Sequence, residues 1–156
     1  MYTRWDKFCD KLQQHFAIEI PQARRQDIFD LLSKAYKLEY RRYHALEHIA
    51  GMLAELEELD TPADDALSLE FAIWLHDFIY RSHRVDNEMR SARYAGRIAK
   101  ILGLSDEFIK RVKKLILGTK AHIALEDDVN ARILFCLDLS ILGKTPEKYD
   151  NYCGQI

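Results

Sequence analysis

The residues of this chain best suited to chemistry are His44 and His48, the neighbours His76 and Asp77, and Asp138. Five of the six histidines lie between positions 44 and 122. His44 and His48 are one helical turn apart, so on a continuous helix both project from one face and can serve one ion or one reaction centre. The same spacing also suits a packed core. His76-Asp77 follows the apolar run FAIWL, where two polar side chains are costly to bury without partners. Adjacent helical residues point about 100 degrees apart, so one ion held by both requires the helix to end there. The alternative is a C-terminal histidine favoured by the helix dipole beside a solvated aspartate. Asp138 sits in FCLDLSILG with no Lys or Arg one turn away, so its partner is a cation or a donor brought from elsewhere. Imidazoles and carboxylates together suit Mn, Fe, Ni, Zn or Mg better than Cu(I), as one or two divalent ions per chain.

The elements that must position these residues read as helices. Apolar residues recur at helical spacing almost throughout and no segment sustains strand alternation, which predicts an all-α bundle of seven or eight helices. Thr3 with Asp6 resembles a capping pair opening a helix to about Phe16, and Pro21 opens a second to about Leu38. A third is expected from Tyr43 to Leu59, and a fourth from Asp64 toward His76. Asp86 and Ser105 are expected N-caps of the next two, which end near Gly103 and Leu117. Asp127 or Asp128 opens ARILFCLDLSIL, whose run Ile133 to Leu137 implies burial on most sides, up to Gly143. A last helix is expected after Pro146.

The chain has 156 residues, 48% of them hydrophobic and 31% charged, as one ordinary globular domain would. A formal net charge of -2 provides no basic field for broad nucleic-acid binding. Three cysteines, Cys9, Cys136 and Cys153, lack Cys-x-x-Cys spacing, so neither a disulfide framework nor a thiolate zinc site is expected. The N-terminal MYTRWDKFCDKL is charged throughout and no run approaches roughly 18 apolar residues, so the expectation is a cytoplasmic protein without a membrane segment.

Tyr43-His44-x-x-x-His48, Ala72-Ile73-Trp74-Leu75-His76-Asp77 and Leu137-Asp138-Leu139-Ser140-Ile141-Leu142-Gly143 together resemble the HD-domain phosphohydrolases, in particular their small bacterial metal-dependent members. The first segment is also similar to that of cyclic-nucleotide phosphodiesterases. The resemblance runs from about Tyr43 to Tyr149 and implies a single HD-type domain over residues 1–156 that stops short of the relatives' last helices. It implies His48, His76, Asp77 and Asp138 as metal ligands, His44 as general acid, and Asp77 as a catalytic residue able to bridge a second ion. The substrate it implies is a small phosphorylated molecule, a phosphomonoester or phosphodiester with nucleotides as one class. Arg81, Arg84, Asn87 and Glu88, with Lys120 and His122 of GTKAH, are the implied substrate-binding residues, although Arg81 and Arg84 also read as solvated loop charges. The chain departs from these relatives at Ala45, where they commonly have Asn, and at Cys136, where they often carry an acid. His83 is a candidate for a second ion, and His15 reads as structural.

Two other function classes fit parts of the pattern. His44-Ala45-Leu46-Glu47-His48 matches H-x-x-E-H, the inverted zinc-peptidase motif, with Glu47 as base and Glu126 as a further ligand, but this leaves His76, Asp77 and Asp138 unused. A non-catalytic module that binds a nucleotide or a partner is the second.

Overall fold

A computed structural model describes residues 1–38, 41, 45–59, 63–123 and 128–140. These form seven helices: α1 (Tyr2–Phe16), α2 (Gln22–Tyr36), α3 (Leu46–Glu57), α4 (Ala63–Leu75), α5 (Asn87–Ile101), α6 (Asp106–Gly118) and α7 (Val129–Asp138). Among the described residues there is no strand, and the fold is all-α. The helix expected after Pro146 lies outside the described residues, and α7 ends at Asp138, five residues short of the Gly143 expected as its end.

α4 is the centre of the assembly. From Leu69 to Leu75 every side chain is buried, with Glu70 paired to Lys11 at 2.9 Å, and a helix enclosed on all sides must be wrapped by others. It packs against α3, α5, α6 and α7. Trp74 meets Trp5 of α1 edge-on at 5.4 Å, and Phe71 lies between Phe8 of α1 (6.2 Å) and Phe108 of α6 (5.5 Å). Ile49, Met52 and Leu53 give α3 its inner face, and Leu134, Phe135 and Leu137 do the same for α7. The run from Ile133 to Leu137 is less enclosed than its composition implies, because Cys136 is exposed.

Helix starts follow the capping chemistry unevenly. Ser105 accepts from Phe108 N at 3.2 Å and Asp128 from Ala131 N at 3.0 Å, as side-chain N-caps should. Thr3 lies within α1, whose N-cap is Met1; Asp6 instead pairs with Arg25 at 2.9 Å. Asp86 occupies the N-cap position of α5 but spends its carboxylate on Arg84 and Arg90. α3 begins later than Tyr43: Ala45 is its N-cap, with extended backbone (φ -111°, ψ -177°). A helix face shared by His44 and His48 requires helical backbone at Ala45, and Ala45 is extended. Tyr43 and His44 themselves lie outside the described residues.

Candidate metal centre

Each functional side chain sits at or just beyond a helix end. His48 is in the first turn of α3, His76 and Asp77 directly follow α4, His122 lies in the turn after α6, and Asp138 is the last residue of α7. α4 does end at the His-Asp pair, as binding through both side chains requires. Several hydrogen bonds hold the turn that follows. His76 N donates to Ala72 O at 2.7 Å, His76 Nδ1 to Ile73 O at 3.0 Å, the Tyr36 hydroxyl to Trp74 O at 3.0 Å, and Phe78 N to Leu75 O at 3.1 Å. The four terminal carbonyls of the helix are thereby satisfied. Ser91 Oγ accepts from Ile79 N at 2.9 Å, fixing the other side of the turn.

The Nδ1 bond leaves His76 Nε2 facing the centre. That nitrogen is buried and has no hydrogen-bond partner; Asp138 Oδ1 lies 3.4 Å away and Asp77 Oδ2 3.5 Å away. His48 Nε2 is 3.0 Å from Asp138 Oδ1, and His122 Nε2 is 2.9 Å from Asp138 Oδ2. One ligand atom from each of His48, His76 and Asp138 lies within 4.8 Å of the others, so the group could hold a metal ion. Two donors each about 2.1 Å from an ion at tetrahedral angles stand about 3.4 Å apart, which the 3.4 Å between His76 Nε2 and Asp138 Oδ1 matches. A buried imidazole nitrogen without a hydrogen bond, beside a partly buried carboxylate, is the kind of donor set a divalent ion satisfies.

The electrostatics agree in direction. Burial works against a charge on Asp138, yet His76 and the hydrogen bonds from His122 and His48 hold its carboxyl well below the usual range. Burial alone would depress His76, but Asp77 and Asp138 override it and push the imidazole up to about 9. The centre is built to hold positive charge between two carboxylates.

The other residues singled out by sequence are placed as follows. Asn87 is buried; it accepts from Arg81 N at 3.1 Å and donates to Arg81 O at 2.9 Å, clasping the loop that follows the His-Asp turn. Arg84 is tied to Asp86 at 2.6 Å, and Lys120 donates to Val85 O at 2.8 Å, so Lys120 joins the α6–α7 loop to the α4–α5 loop. Arg81 and His83 are exposed and Glu88 is half-buried. His15 is exposed and packs on Phe16, away from the centre. Glu47 is exposed beside the buried His48, and Glu126 is outside the described residues. His122, for which the resemblance implies a substrate-binding or ligand-supporting role, lies with its Nε2 2.9 Å from Asp138 Oδ2. Spacing did not point to Tyr36 or Arg41, which hold the backbone of the His-Asp turn through its carbonyls.

Compared with family models, curated proteins and solved structures, the chain matches none.

Proposed function

We propose that this protein is a divalent-metal-dependent phosphohydrolase of the HD type, acting on a small phosphomonoester or phosphodiester. The observation that supports it best is the convergence of His48, His76 and Asp138, with His76 Nε2 buried among them and without a hydrogen bond. A divalent ion bound there supplies a water acidified toward neutral pH and positive charge for the phosphoryl oxygens. The chain's own residues do the rest. Ile73 O fixes the His76 ring through Nδ1, and His122 occupies Asp138 Oδ2, leaving Oδ1 turned toward His48 and His76. Asp77 adds a second carboxylate beside His76 and is the candidate bridge to a second ion. His44, four residues before His48, is assigned the proton delivered to the leaving oxygen, and Arg81 the grip on a non-bridging phosphoryl oxygen.

Metal content measured by plasma mass spectrometry in wild type and Asp138→Asn, after reconstitution, is the test. About one or two ions per chain in wild type, lost in the variant, are expected together with phosphate release that depends on added Mn, Ni, Mg or Zn. A wild-type protein that takes up no ion under any of these conditions overturns the proposal.

A further inference from the structure

We propose that Arg41 is a positioning residue for the metal centre, acting on the backbone of the His76-Asp77 turn and not on an ion or substrate. The inference rests on the metal reading above. Arg41 is 6% exposed. Its Nη1 donates to Asp77 O at 2.6 Å and its Nη2 to Phe78 O at 2.8 Å, a two-pronged grip on consecutive carbonyls. The guanidinium lies over the Tyr36 ring at 5.1 Å and the Tyr80 ring at 5.9 Å. Tyr36 in turn donates to Trp74 O, so both residues fasten the same stretch of chain, just before and just after His76. Adjacent side chains converge on one centre only if the backbone between them is held in a non-helical path, and the planar fork of arginine suits that task where lysine does not. The direction of the effect separates this role from a simple charge. A cation near the centre repels a metal ion, so deleting Arg41 should tighten binding if charge were its only contribution. Positioning requires the reverse.

Cobalt(II) affinity and the cobalt absorption spectrum, measured on the full chain, read the difference. The variants are Arg41→Lys, Arg41→Met and Tyr36→Phe, with Arg25→Lys as the control. Arg25 is an equally buried arginine that binds Asp6, Asp10 and Ile20 O, with no contact to the centre. Arg41→Lys and Arg41→Met are expected to weaken cobalt binding about 10- to 100-fold, as loss of a residue that orients ligands does, and to alter the ligand-field bands. Arg25→Lys should lower the melting temperature while leaving affinity and spectrum unchanged. Tyr36→Phe keeps the ring under Arg41 but frees Trp74 O, and a smaller weakening is expected. Unchanged or tighter binding in the Arg41 variants, with wild type binding normally, overturns the positioning role alone. If the Arg41 variants do not fold, unchanged affinity and spectrum in Tyr36→Phe overturn it. A wild type that binds no cobalt overturns the metal reading, and this inference with it.

Discussion

Asp138 is a partly buried carboxylate contacted by three imidazoles, and each contact comes from a different place in the chain. His122 reaches it from a backbone with φ 50°, the left-handed region that non-glycine residues adopt at a cost of about 1–2 kcal/mol. The side chain and the backbone of His122 can be separated by substitution. His122→Gly removes the imidazole but relieves the backbone, whereas His122→Ala removes the imidazole and keeps the strain. Both variants should weaken metal binding to the same extent, and the glycine variant should be the more stable by about 1 kcal/mol in urea titration. Equal stability of the two would mean that the left-handed turn is not needed to bring residue 122 to Asp138. His76 and Asp138 were legible in the sequence because their types are costly in apolar segments, and His48 through its spacing from His44 and the motif it forms with it. The contact of His122 with Asp138 was not, because it depends on the conformation of one turn. Arg41 left even less trace, since its partners are backbone carbonyls that any residue carries.

The helices that carry the candidate ligands start with unequal help. α7, which ends in Asp138, is capped by Asp128, and the same carboxylate receives Lys114 Nζ at 2.5 Å. α3, which carries His48, begins at Ala45, whose side chain has no acceptor although its extended backbone suits an N-cap. This explains why the sequence marked the start of α7 closely and misplaced that of α3. Ala45→Asn should therefore stabilise the protein, and Asp128→Ala should destabilise it by about 1 kcal/mol at neutral pH, both read from urea midpoints. The loss at Asp128 should depend on acid. Burial opposes its charge, but Lys114 and the Ala131 amide outweigh that and lower its pKa in the folded protein. Its contribution is then present above the unfolded carboxylate value, near about 3.9, and is lost as pH falls through the lower folded value. Wild type and Asp128→Ala should thus converge in stability in strong acid, and a gap that persists there would assign the effect to something other than the ionised cap.

At the scale of the whole molecule, the proposed centre ties α3, the end of α4 and α7 together at one point. The apolar core already holds these helices: α4 is buried from Leu67 to Leu75, and Phe71→Ala would cost about 3–5 kcal/mol. An ion bound by His48, His76 and Asp138 would add to this, because an unfolded chain cannot bring the three together. At free metal about 100-fold above its dissociation constant the gain is about 2.7 kcal/mol. For a chain of this length that corresponds to a rise of roughly 5–10 °C in melting temperature. Chelation should reverse the rise, and neither His76→Ala nor Asp138→Asn should show it. Both variants must be melted with and without metal, since each also removes native contacts of its own. A rise that survives in both variants would place the ion elsewhere in the chain. A rise confined to wild type would show that the residues with metal-competent chemistry also act as a clasp between helices, coupling occupancy of the centre to the stability of the fold.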